Sequence, residues 1–362
     1  MEHQEYLNAK NEMYDAIIEY IENENPDNLD FYHIENIIKE QNICESKEET
    51  ILLLRIIIKI CDNHHRGLNF FQKFEKIFQF LFQHITRYLS NSELFQICKN
   101  NKWIVLFLIK NKIITVDEEI VQLIFRQTKK TNKYYLFFYP EIMNFLNQQL
   151  KIEAKLHINE KNMKVFERKR LIGENDSYIS QLIRNDSIDD FVSYIHQTNF
   201  YLSSKIKESI YETNSFLIEN EPYLIEYAAF YGSLQIFLYL KANNVSLYPS
   251  LWLYAIHGKN DEIIHHLENC HVEPPNGNYH SCFHEAIKCH HNDIANYFKN
   301  LFNEKEKIDY KPIFKYYNIN QIPNEFGDSI NFYYLCKYNY SKLVELYIKP
   351  RQISMKDDAK VF

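Results

Sequence analysis

Apolar residues along this chain recur every three to four positions, in runs separated by short polar breaks. The stretches Tyr6 to Glu24, Ile51 to Ile60, Phe70 to Phe82 and Ile120 to Phe125 all follow helical rather than alternating spacing. Three helix starts pair a hydroxyl with a glutamate three residues on, the pattern of a capping box: Ser46 with Glu49, Ser90 with Glu93 and Thr115 with Glu118. Asn25-Pro26-Asp27 breaks the first helix from the second. Asn100-Asn101-Lys102 with Val105, Leu106 and Leu108 is a distant cousin of a pattern that is clearer further on.

That pattern occupies the C-terminal half. Ala228-Ala229-Phe230-Tyr231-Gly232 is followed by Leu234-Gln235-Ile236-Phe237 and Leu240. Ala255 aligned under Ala228 brings Ile263 under Ile236 and Leu267 under Leu240, and a third copy starts at Ala286 with Ile294 and Phe298. A weaker fourth starts at Leu335 with Leu343, Val344 and Tyr347, and Leu182-Ile183 with Phe191 and Ile195 resembles an imperfect first unit. The start-to-start spacings are 27 (228 to 255), 31 (255 to 286) and 49 (286 to 335) residues. Periods of this size mean stacked helix pairs, none able to bury its apolar face alone. The expected fold is all-α, a helical solenoid of degenerate helix–turn–helix repeats behind an N-terminal helical region. Residues 1–150 form that region, 151–176 a charged junction with a turn at Gly173-Glu174-Asn175-Asp176, 177–349 the repeats and 350–362 a tail. Loops at Glu273 to Asn278 and Pro323 to Asp328 each precede a repeat.

Composition agrees. With 46% apolar residues, 28 Tyr and 26 Phe but only 6 Gly and 9 Pro, a chain of 362 residues can build a sizeable helical interior and lacks the turns of a strand-rich fold. A net charge of −7 argues against a general nucleic-acid binder. The basic run Lys164 to Arg170 is the only feature favouring polyanion binding, the alternative function kept open. Seven cysteines without a C-x-x-C pair read as free thiols in a reducing compartment. Met1-Glu2-His3-Gln4-Glu5 is too polar for a signal peptide, and Ile51 to Ile60 is too short to span a bilayer. The expected location is cytoplasmic, with the nucleus open.

Ser281-Cys282-Phe283-His284-Glu285-Ala286-Ile287 resembles the ankyrin signature Thr-Pro-Leu-His-x-Ala-Ala, and Gly232-Ser233-Leu234-Gln235-Ile236-Phe237 resembles the opening of the second ankyrin helix. The strings Leu224 to Ser233, Tyr254 to Asn260, Glu285 to Ile294, Gly173 to Ile179 and Phe332 to Tyr338 are together similar to the uncharacterised ankyrin-like domain family expanded in anaerobic flagellate protists, from about Gly173 to Lys349. The resemblance implies a protein–protein interaction scaffold without catalytic residues, its partners being other proteins. Departures are visible: the ankyrin glycine is kept as Gly232 but replaced by Lys259, His290 and Asn339, and the signature proline by Leu224, Leu251, Cys282 and Asn331.

Each position then has an expected role. Ala228, Ala255, Ala286, Ile236, Ile263, Ile294 and Leu343 form the repeat core, and His284 at the signature histidine bonds within its turn beside Ser281. By the resemblance, Phe230, Tyr231, His257, Lys288, Lys337 and Tyr338 face a groove where a partner's acidic or extended segment lies against aromatic anchors. The segment from His265 to His291 is rich in His and Cys, including His266, Cys270, His271, His280, Cys289 and His290. No pair has finger or ribbon spacing, so no metal and no cofactor is assigned, and a metal-dependent enzyme stands as a second alternative. There is no phosphate loop, no Gly-x-Ser-x-Gly and no His-Glu-x-x-His, so the chain is read as not an enzyme.

Overall fold

The structure, a computed structural model, describes residues 2–25, 28–128, 134–158, 162–302, 308–323 and 329–358. The breaks read at Pro26-Asp27 and at 324–328, and residues 359–362 of the tail, lie outside the described residues.

Among the described residues the only regular elements are helices, apart from a single isolated antiparallel bridge, Lys205 to Tyr223. The first helices are α1 (Glu2–Glu22), α2 (Asn28–Glu40), α3 (Lys47–Asn63) and α4 (Phe70–Tyr88). Next come α5 (Asn91–Cys98), α6 (Lys102–Lys110), α7 (Glu118–Thr128), α8 (Tyr134–Phe137), α9 (Tyr139–Ile142), α10 (Gln148–His157) and α11 (Met163–Ile172). The middle of the chain continues with α12 (Tyr178–Arg184), α13 (Ile188–Thr198), α14 (Ser215–Asn220), α15 (Leu224–Phe230), α16 (Leu234–Ala242), α17 (Leu251–Gly258) and α18 (Asp261–Asn269). The last are α19 (His280–Cys289), α20 (Asn292–Asn300), α21 (Lys311–Lys315), α22 (Ser329–Lys337) and α23 (Ser341–Asp358).

Two compact units result, and their borders differ from those read in the sequence. One combines Met1–Tyr88 with Asn278–Phe362; the other is Leu89–Gly277. Residues 1–150 are therefore split between units, the stretch 151–176 lies inside the second, and the repeats of 177–349 are divided at 277. The reason is packing that local periodicity does not reveal. In the first unit α3 lies against α19, α4 and α23, and α1 lies against α2, α4, α23 and the single turn Ile319–Gln321. Lys10 and Tyr6 of α1 both reach the Glu49 carboxylate of α3, each at 2.8 Å, while Tyr340 gives its hydroxyl to the Phe314 carbonyl at 3.2 Å.

In the second unit α12, α15 and α17 pack side by side in that order, and so do their partners α13, α16 and α18. Small side chains permit the close approach of the first row: Ala228, Ala229 and Ala255 are wholly buried, with Ile236 and Ile263 closing the second row onto them. Ala286, Ile294 and Leu343 are likewise buried in the first unit. Gly258 marks the tightest point. A Cβ there would stand 2.2 Å from the Ala229 carbonyl oxygen.

The turns between paired helices share one backbone solution. The residue aligned with the ankyrin glycine is left-handed in every copy, at φ 66° in Gly232, 48° in Lys259, 61° in His290 and 58° in Asn339. In the copies at Ala228, Ala286 and Leu335 the next amide returns to the start of the copy, Ser233 N–H to Ala228 O at 2.9 Å, His291 to Ala286 at 3.0 Å and Tyr340 to Leu335 at 2.9 Å. This is the six-to-one bond of a Schellman close. The same bond joins Ser187 to Leu182 and Asn318 to Ile313, with Asp186 at φ 47° and Tyr317 at φ 57° between them. The long interval from Ala286 to Leu335 thus contains a unit at Ile313 that the sequence pattern misses.

Of the expected capping boxes one forms in full, Ser90 with Glu93; Ser46 accepts from Glu49 N–H, but the Glu49 carboxylate turns to Tyr6 and Lys10. The third differs: Asp117 Oδ1, not Thr115, accepts from Ile120 N–H at 2.9 Å at the start of α7.

Candidate functional site

The residues between α13 and α15, with Tyr248 from the loop after α16, bring several tyrosines together in the second unit. Asn199, left-handed at φ 49°, ends α13, and the chain then runs back alongside the approach to α15. Ile206 N–H donates to Pro222 O at 2.8 Å and Leu224 N–H to Ser204 O at 3.1 Å, which places Lys205 beside Tyr223. The Lys205 ammonium lies 5.6 Å over the Tyr223 ring, and Tyr223 in turn stacks on Tyr248 at 5.6 Å. Tyr201 is 73% exposed and Tyr248 46%. The segment is anchored by Glu212, whose carboxylate accepts from the backbone N–H groups of Asn175, Thr213 and Asn214, and by Thr213 Oγ1 donating to Gly173 O at 2.6 Å.

The groove residues fare differently. Phe230 and His257 are buried, 6% and 1% exposed, because Phe216 of α14 covers them: the His257 ring lies 4.2 Å from Phe216 and 5.1 Å from Phe230, centroid to centroid. They are packing residues, which corrects their place on an open groove. Tyr231 is half-buried against Tyr227 and Phe230. In the other unit Lys288 is half-buried and paired with Glu285 at 2.7 Å, Lys337 is exposed and Tyr338 half-buried, its carbonyl accepting from Tyr317 Oη at 2.9 Å. His284 belongs to helix α19 rather than to a turn, and its Nε2 is enclosed without a hydrogen-bond partner. Burial pushes its pKa below the ordinary histidine value.

The basic run is also partly structural. Arg170 is wholly buried, forking onto Glu141 at 2.7 and 3.0 Å and donating to Phe137 O at 2.9 Å. Lys169 pairs with Asp176 at 2.7 Å. Only Lys164 and Arg168 of the run are exposed cations, too few for a polyanion stripe.

The His/Cys-rich segment does not gather on itself. All seven cysteines are free thiols, five of them buried, and burial pushes the Cys282 thiol up to about 12. His265 and His280 point to their own neighbours, Glu268 and Phe302. His291 instead meets His64 and His65, which the sequence reading did not connect with it. The available signal was a pair of His-His dyads, His64-His65 and His290-His291, each at a helix end.

No family model matches this chain, and no curated protein and no solved structure matches it either. Among the described residues no helix is long and apolar enough to cross a membrane.

Proposed function

We propose that the chain is a non-catalytic protein-interaction scaffold whose helix pairs are units of a degenerate ankyrin-like solenoid. The observation that carries this reading is the group of tyrosines in the second unit, Tyr201, Tyr223 and Tyr248 with Lys205. Tyr201 and Tyr248 are exposed and Tyr223 half-buried between Lys205 and Tyr248; tyrosines are large, stiff and amphipathic, side chains enriched at protein interfaces. Support also comes from the spacing of the repeats and from the left-handed turn that their helix pairs share. The partner is another protein, and Tyr201 and Tyr248 are its anchors in place of Phe230 and His257.

The test compares partner capture by the parent chain and by a Tyr201→Ala/Tyr248→Ala variant. Both side chains are exposed, so tryptophan fluorescence of the variant should match the parent. Partners of the parent should weaken by about 1–2 kcal/mol or more, roughly tenfold. Unchanged affinities would remove these tyrosines from the interface. A parent chain that retains no partner at all would overturn the scaffold reading.

A further inference from the structure

Within the first unit, the end of α3 and the turn between α19 and α20 bring together three imidazoles. One ring nitrogen from each of His64, His65 and His291 lies within 4.8 Å of the other two. The ring centroids are 4.5 Å apart for His64 and His65, 4.8 Å for His64 and His291, and 5.2 Å for His65 and His291. His64 and His291 are 2% and 1% exposed, and His65 is half-exposed.

The chemistry of each ring follows from its contacts. His64 Nδ1 lies 2.8 Å from the Cys289 carbonyl oxygen, which can only accept, so the proton sits on Nδ1. The ring's Nε2 then carries the free lone pair in the neutral form, the arrangement that a carbonyl second shell imposes on metal-binding histidines. Glu22 Oε1 of α1 approaches that Nε2 to 3.1 Å, but off the direction of a ring N–H, and Nε2 has no hydrogen-bond partner. His65 Nδ1 and His291 Nε2 face each other at 3.2 Å. Bonds of about 2.0–2.1 Å to a tetrahedral ion set ligand atoms roughly 3.3 Å apart, so both short separations have the length of an edge of such a polyhedron.

We propose that His64, His65 and His291 bind one divalent transition-metal ion, zinc by preference, with the Glu22 carboxylate as the fourth ligand. Three imidazoles and one carboxylate suit zinc, cobalt or nickel and are too rich in nitrogen for magnesium or calcium. The ligands come from the ends of α1 and α3 and from the α19–α20 turn, segments more than 200 residues apart in sequence between His65 and His291. The ion is a clip that fastens the N-terminal helices of this unit to its C-terminal helices, and the half-exposed His65 is its entry side. This inference is independent of the scaffold reading.

The experiment titrates the full-length, chelator-treated chain with cobalt(II), then with zinc(II). The parent should bind one ion per chain by native mass spectrometry, show the visible absorption of four-coordinate cobalt, and unfold at a higher temperature with zinc present. His65→Ala, at a half-exposed position and checked for parental helicity, should weaken binding at least tenfold, and so should His291→Ala. His284→Ala, away from the cluster, should bind like the parent. A parent that takes up no ion from a tenfold excess would overturn the proposal. So would parental affinity in His65→Ala, whatever His291→Ala does to folding.

Discussion

Gly258→Ala probes the closest approach in the second unit. The new Cβ would meet Ala229 O at 2.2 Å, Gly232 N at 3.1 Å and Phe230 O at 3.2 Å, and all three are backbone atoms with no rotamer to yield. An ordinary carbon–oxygen contact needs about 1 Å more, so α17 must withdraw from α15 by nearly that distance. A gap of 0.5–1 Å forfeits about a quarter to a half of the dispersion energy across the contact, and overpacking of this kind costs about 1–3 kcal/mol. Alanine's better helix propensity returns roughly 0.5–1 kcal/mol, leaving a net loss of about 2 kcal/mol at the upper end. Gly232→Ala separates this effect from backbone strain. Its Cβ would meet nothing closer than 3.5 Å, but its φ is 66°, so the cost is the left-handed penalty of about 1–2 kcal/mol less the unfolded-state entropy that alanine removes, roughly 0.5–1 kcal/mol net. Both tryptophans, Trp103 and Trp252, are buried in this unit, so urea unfolding followed by their fluorescence reports it selectively. With a slope of about 2 kcal/mol per molar urea, the midpoint should fall by about 1 M for Gly258→Ala and 0.3–0.5 M for Gly232→Ala. A Gly258→Ala midpoint no lower than that of Gly232→Ala would refute the steric reasoning.

Other outcomes follow from the same contacts. Lys259→Gly should raise the urea midpoint, stabilising the unit by about 0.5–1 kcal/mol, because φ 48° at that position suits glycine; a lower midpoint would count against the turn assignment. Ala255→Leu, in the row of wholly buried alanines, should cost about 1–3 kcal/mol, and an unchanged midpoint would mean that the repeats are misaligned. Arg170→Ala should cost about 3–5 kcal/mol by stranding Glu141, and most of that loss should return in Arg170→Met combined with Glu141→Leu; no recovery in the double variant would show that the ion pair is not the cause. Burial lowers the Lys102 ammonium to about pH 8, whereas the unfolded chain holds that proton to about 10.4. The unfolded state therefore binds more protons above pH 8, and stability from this group rises with pH until about 10. Midpoints measured at pH 7.5 and 9.5 should show this rise in the parent relative to Lys102→Met, and equal slopes would dismiss it.

Much of the helical content was legible because it is local. Ser90 and Glu93 cap a helix wherever that helix packs, and Ala228, Ala255 and Ala286 identify close approaches by size alone. The turn position was also legible, although glycine survives only at Gly232: Lys259, His290 and Asn339 hold the same left-handed geometry, so the fold keeps the backbone requirement and tolerates the side chain. The unit at Ile313 escaped notice because Tyr317 occupies its turn and carries no turn signal. What failed to read were facts about distant neighbours. Nothing near Arg170 announces that Glu141 will bury it, nothing near His257 announces Phe216, and nothing near His291 announces His64 and His65.

The second unit is, along the chain, an insertion within the first. The first unit's N-terminal helices are synthesised early, but α19, against which α3 packs, begins only after the whole of residues 89–277 has been made. At roughly 5–20 residues per second that delay lasts about 10–40 s. For that time the side of α3 that later meets α19 and α23 lacks those neighbours, while the inserted unit is already present as a continuous segment. The second unit is thus the first whose contacts can all form as the chain is made. A nascent chain stalled shortly after Gly277 would present a complete inner unit tethered to a leader whose α3 still lacks those partners, the species on which chaperones would be expected to act.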